Sequence, residues 1–108
     1  MHPLEISPQA LAAKLSAREN FVLLDVRTPR EHAFVSLPDS RLIPLQALEA
    51  RLAELAPFSE KEFVVYCHHG VRSLDAVHFL GAHGFSAKSL AGGIEAYAAT
   101  VDPGLPRY

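Results

Sequence analysis

Phe63-Val64-Val65-Tyr66-Cys67-His68-His69-Gly70-Val71-Arg72-Ser73 carries a short apolar run into the only cysteine of the sequence and, six residues later, to a serine. Such a run predicts a strand covered on both faces, as in a parallel sheet. From Ser73 onward, Leu74, Val77 and Leu80 recur at spacings of three, with Ala76 and Phe79 widening the stripe. That pattern predicts a helix over 73–83, with Gly84 as its C′ residue. Strand, tight turn and helix N-terminus thus follow one another around a thiol.

The flanking sequence repeats the alternation. Leu4-Glu5-Ile6 is a short first strand, and Ser7-Pro8 starts a helix striped by Leu11, Ala12 and Leu15. Phe21-Val22-Leu23-Leu24 is a second apolar strand ending at Asp25. Thr28-Pro29-Arg30-Glu31 is a capping box that opens a short helix, which stops before the turn Leu37-Pro38-Asp39. Arg41-Leu42-Ile43 is a strand stopped by Pro44. Leu48, Leu52 and Leu55 then predict a helix over 46–55. After residue 86, Ala87-Lys88-Ser89-Leu90 is a last strand, and Gly92-Gly93 turns into a terminal helix of Ile94, Tyr97 and Ala98. Pro103 and Pro106 mark an extended tail. The fold class is α/β with a mostly parallel sheet. In such sheets the functional crevice lies beyond the carboxyl ends of the strands, where Asp25, Cys67 and Gly92 fall.

A chain of 108 residues, 49% of them hydrophobic, forms one small domain over 1–108 with a real core. One cysteine excludes an internal disulfide and leaves no cysteine-based zinc site. The formal net charge of −2 lacks the basic excess of a nucleic-acid footprint. No apolar run is long enough for a membrane span or a signal peptide, so a cytoplasmic address is expected. No exposed heptad or long apolar face argues against a monomer.

The loop after Cys67 has the makings of an anion site. Unpaired N–H groups at the helix start, together with loop amides near Gly70, form a concave cradle that favours a thiolate over a thiol. Gly70 supplies the positive φ that a tight inward curl demands. Arg72 adds a cation whose planar fork suits oxyanions. A lone cysteine at a strand end is commonly only a buried small hydrophobe. The glycine, the arginine and the following helix, at their spacings, favour an activated nucleophile instead.

These motifs resemble those of the single-domain rhodanese-like sulfurtransferases over nearly the whole chain. The resemblance runs through Ile6-Ser7-Pro8, Leu24-Asp25-Val26-Arg27 with Pro29 and Glu31, and Leu37-Pro38 with Ile43-Pro44. It continues through 67–73, Gly84-Phe85 and Leu90-Ala91-Gly92-Gly93-Ile94. It implies a compact five-stranded sheet flanked by helices on both faces. It also implies that Cys67 takes a sulfane sulfur from a small-molecule or protein donor such as thiosulfate. The resulting persulfide would pass to cyanide or a thiol, without a cofactor or metal. The loop of His68, His69, Gly70, Val71 and Arg72 would cradle the persulfide, with Asp25, Arg27 and Ser73 in support. Ser36-Leu37-Pro38-Asp39-Ser40 stands where the family usually has a His-Ile-Pro-Gly-Ala-like string, and His32 where it is commonly aromatic. Asp39 in place of glycine still tolerates a left-handed backbone.

Other chemistries were weighed against this one. Six histidines form no HxxxH or HExxH pattern, and His78 and His83, five apart, do not share a helix face. His68 and His69 line the loop mouth. Asp25 and Arg27 read as hydrogen-bond anchors supporting the neighbouring loop, and Ser73 as an N-cap or near it. Gly92-Gly93 permits a close backbone approach and carries no nucleotide fingerprint. Cysteine phosphatases and arsenate-reductase-like enzymes place five residues between cysteine and arginine. Here four intervene, His68, His69, Gly70 and Val71, a smaller cradle suited to a single sulfur. A binding module that had lost its chemistry would generally lack the cysteine or the arginine, and both are present.

Overall fold

Apolar runs and capped helix starts build the predicted layers in the structure, a computed structural model that describes residues 3–108. Strands β1 (Glu5–Ile6), β2 (Val22–Asp25), β3 (Arg41–Leu42), β4 (Glu62–Tyr66) and β5 (Ser86–Leu90) form one sheet in the order β1-β5-β4-β2-β3. Every neighbouring pair is parallel; β2 runs beside β4 from Val22↔Phe63 to Asp25↔Tyr66. Helices α1 (Pro8–Ser16), α2 (Pro29–Phe34), α3 (Val71–Ala82) and α4 (Gly93–Thr100) alternate with the strands.

Alternation along β4 divides the core in two. Phe63, Val65 and Cys67 pack with Val22 and Leu24 against Ala76, Val77 and Leu80 of α3. Val64 and Tyr66 face the other way, with Leu23, onto Leu11 of α1 and Ile94 and Tyr97 of α4. Burying each such side chain on either face contributes roughly 1.5–3 kcal/mol. That gain explains why the central strands read as unbroken apolar runs, with helices on both faces as expected.

The helix starts follow their caps. Ser7 Oγ accepts from Ala10 N at 3.0 Å, with Pro8 inside the first turn. Thr28 Oγ1 accepts from Glu31 N at 3.2 Å, while Glu31 Oε1 accepts from Thr28 N at 3.1 Å. Asp39 takes φ +59°, the left-handed turn expected of it.

Two expectations are corrected. The helix over 46–55 is replaced by short 3-10 turns at Leu45–Ala47, Leu52–Glu54 and Ala56–Phe58. No side chain caps any of them, and burial of Leu48 and Leu55 in the α3-side core decides their path. Helix α3 begins at Val71, two residues before the predicted start, because Gly70 takes the N-cap position with φ +99°.

Candidate active site

Cys67 is the first residue past the end of β4. Backbone amides from the start of α4 hold the base of its loop: Ile94 N donates to Cys67 O at 2.9 Å and Glu95 N to His68 O at 3.1 Å. This contact is close enough that a Cβ on Gly93, which sits at φ +66°, would lie 2.2 Å from His68 O. The Gly92-Gly93 pair thus serves the close backbone approach expected of it.

From that base the loop folds over its own thiol. Gly70 N donates to Cys67 Sγ at 3.1 Å and Ser73 N at 3.3 Å, and Ser73 Oγ lies 3.3 Å from Sγ. Cys67 is 1% exposed. Ser73 lies near the N-cap, as expected, in the first turn of α3 behind Gly70; it is fully buried, with amide and hydroxyl turned toward the sulfur. The hydroxyl is held from behind by Ser89 Oγ on β5, 2.7 Å away. Two amides and a hydroxyl converging on one sulfur can stabilise negative charge there, either on a thiolate or beside a persulfide.

Charged groups gather at the mouth. Arg72 does not point free into solvent; Nη1 and Nη2 donate to Oε1 and Oε2 of Glu31 at 2.8 and 3.0 Å. Hydrogen bonds from Arg72 hold the Glu31 carboxyl well below the usual carboxylate range, against the opposing effect of burial. Deeper in, Arg27 forks onto Asp25, Nε to Oδ1 at 2.9 Å and Nη2 to Oδ2 at 2.8 Å. Nδ1 of His32 donates to the same Oδ2 at 2.8 Å. Burial opposes the Arg27 charge, but its bonds to Asp25 and Tyr108 outweigh burial and raise its pKa. The Tyr108 hydroxyl joins the two forks, accepting from Arg27 Nη1 at 2.8 Å and donating to Glu31 Oε2 at 2.7 Å. The His68 ring stacks on Tyr108 at 3.8 Å and lies tilted against His69 at 3.9 Å. Burial and the adjacent His69 lower the His68 pKa. Val71, exposed, opens α3 beside Arg72.

Residues 7–100 match the rhodanese-like domain family. The chain belongs to that family. An Arabidopsis thaliana protein named adenylyltransferase and sulfurtransferase MOCS3 is 42% identical over 95% of this chain. The chain spans 25% of that relative's length. A sulfurtransferase of Allochromatium vinosum is 34% identical, with 87% of each sequence covered. The crystal structure of a rhodanese-like domain protein from Staphylococcus aureus superposes with a TM-score of 0.82 at 30% identity, covering 96% of this chain and 97% of the other. No helix among the described residues is long and apolar enough to cross a membrane.

Against that rhodanese-like frame, the structure brings Cys67, Gly70 and Ser73 together at the sulfur. It sets His68, His69, Val71 and Arg72 around the mouth, and Asp25 and Arg27 beneath it. Three participants had escaped the sequence reading. Glu31 showed itself in the capping box and in the family motif, but not as a partner of Arg72. Ser89, a small hydroxyl residue ahead of Leu90 and the glycine pair, was legible as strand but not as a buried partner of Ser73. Tyr108 lies in a proline-flanked tail, where no periodicity marks an aromatic as packed.

Proposed function

We propose that this rhodanese-like chain is a sulfurtransferase working through a persulfide on Cys67. The carrying observation is the convergence of Gly70 N, Ser73 N and Ser73 Oγ on the sulfur of the only cysteine. The Cys67 thiolate attacks the outer sulfur of a donor such as thiosulfate. The sulfur–sulfur bond of the donor breaks, sulfite leaves with its electron pair, and the anionic persulfide remains. A thiolate or cyanide then takes the outer sulfur, returning the electron pair to Cys67. No second thiol exists in these 108 residues to resolve the persulfide internally, so the acceptor nucleophile lies outside them. The similarity to the sulfurtransferase of Allochromatium vinosum supports this reading. A reducing, cytoplasmic setting suits a thiol that must return to its free form after each turnover.

Thiosulfate and cyanide incubated with the purified chain should yield thiocyanate, and donor alone should add the mass of one sulfur to Cys67. Cys67→Ser should abolish both. Thiocyanate production persisting in that variant would overturn the assignment.

A further inference from the structure

The cation expected to meet an anionic donor is already engaged. Both terminal nitrogens of Arg72 are spent on Glu31, whose Oε2 also accepts from the Tyr108 hydroxyl. The fork therefore presents no net charge to an incoming molecule. What surrounds it is apolar. The exposed large hydrophobic side chains among the described residues are Phe34, Val71 and Tyr108. Val71 precedes Arg72 at the start of α3, and Phe34 meets Tyr108, which donates to Glu31, edge to face at 5.8 Å. With Arg30 and Glu31, those two rings line a hollow of about 360 Å³. Arg30 sits exposed in the first turn of α2, where water and salt screen its charge.

We propose that Glu31 is a specificity-determining residue: by closing Arg72 into a neutral fork beside an apolar rim, it favours organic persulfide donors, R–S–SH, over inorganic thiosulfate. The proposal rests on the sulfurtransferase reading of Cys67 and assigns its donor class. Thiosulfate carries two negative charges and no apolar surface. To bind where Glu31 grips Arg72 it must displace a carboxylate already bound bidentately, and at the remaining N–H groups it meets that carboxylate's charge; it leaves as sulfite, also a dianion. An organic persulfide needs no such exchange. Its carbon chain rests against Phe34, Val71 and Tyr108, where apolar area leaves water. The Cys67 thiolate attacks the outer sulfur of R–S–SH, the sulfur–sulfur bond breaks with its electron pair going to the inner sulfur, and the proton of the outer sulfur passes to that thiolate, which leaves as R–SH. Cys67 keeps the anionic persulfide, so atoms and charge balance.

Glu31→Gln separates charge from fold, because glutamine serves equally well at the third position of a capping box. With the full chain and saturating cyanide, the two donors are thiosulfate and the persulfide of N-acetylcysteine methyl ester, whose carrier is uncharged. Wild type should show the larger kcat/KM with the organic donor. In Glu31→Gln the ratio of organic to thiosulfate kcat/KM should fall about tenfold, through a lower KM for thiosulfate, as a neighbouring negative charge is removed. An unchanged ratio in a variant with wild-type thermal stability would overturn the proposal.

A second measurement needs no sulfur transfer. Sulfate should protect Cys67 from iodoacetamide better in Glu31→Gln than in wild type, and equal protection counts against Glu31. Should neither donor add sulfur to wild-type Cys67, the persulfide reading fails, and the sulfate experiment still decides whether Glu31 guards Arg72.

Discussion

Asp25–Arg27 and Glu31–Arg72 are two arginine–carboxylate forks with nearly the same bond lengths and opposite access to water. In the first, both side chains are 0% exposed, and Arg27 donates in addition to Val35 O at 2.6 Å and lies 5.2 Å over the Tyr66 ring. In the second, Arg72 is 37% exposed and Glu31 18%. Geometry alone would rank them as equals. Burial separates them: charges removed from water depend wholly on one another, whereas a pair at the surface can exchange its partner for solvent or for a ligand. The inner fork therefore fixes where β2 hands over to α2. The outer one, made by α2 and the start of α3, remains open to exchange beside the reactive loop.

The most forceful way to test this contrast is to remove each arginine in turn. Arg27→Ala leaves the buried Asp25 carboxylate with only His32 and the residue-27 amide as partners and should cost about 3 kcal/mol of folding free energy. Arg72→Ala should cost no more than about 1 kcal/mol, since its partner can reach water. Urea denaturation of the two variants beside the parent measures both. Comparable losses would erase the distinction between a structural and an exchangeable fork.

That distinction was half legible in the sequence. Asp25 and Arg27 read as anchors because a carboxylate closing an apolar strand has few other uses. Cys67 and Gly70 read as a curled loop, and Gly70 takes the positive φ that this requires. The parallel sheet followed from apolar runs that leave no polar face. The outer fork was not legible: Glu31 and Arg72 lie 41 residues apart, and only the tertiary fold brings the starts of α2 and α3 together. Ser73 reads as a cap or near one because serine is a frequent cap. Gly70 took that place, and the hydroxyl turned to the sulfur. Leu48, Leu52 and Leu55 suit a helix by spacing, yet 3-10 turns bury Leu48 and Leu55 equally well, and no cap is present to favour the longer element.

Function offers a second, smaller effect of the same arginine. Arg72→Ala leaves the Glu31 carboxylate facing the loop without its counter-charge, so anionic donors meet repulsion where they had met neutrality. The KM for thiosulfate should rise roughly tenfold while the stability of the variant stays near that of the parent. A lower kcat at unchanged KM would instead make Arg72 a partner of the transition state rather than of the bound donor.

The smallest effect falls on the hydroxyl that joins the forks. Tyr108→Phe keeps the ring that stacks on His68 and removes both hydrogen bonds, to Arg27 and to Glu31. At neutral pH the loss should be about 1 kcal/mol, the net worth of a hydrogen bond. Its pH dependence identifies the cause. Burial, and then the hydrogen bond to Glu31, push the Tyr108 phenol up from 10 to about 12, despite the opposing bond from Arg27. A group whose folded pKa lies above its unfolded one contributes stability that is intact below pH 10 and lost as pH rises toward about 12. Tyr66 and Tyr97, also raised, titrate alike in parent and variant. The stability gap between parent and Tyr108→Phe should therefore narrow across that window, in chemical denaturation at stepped pH. A gap constant to pH 12 would mean that the ring, and not the hydroxyl, ties the outer fork to the inner one.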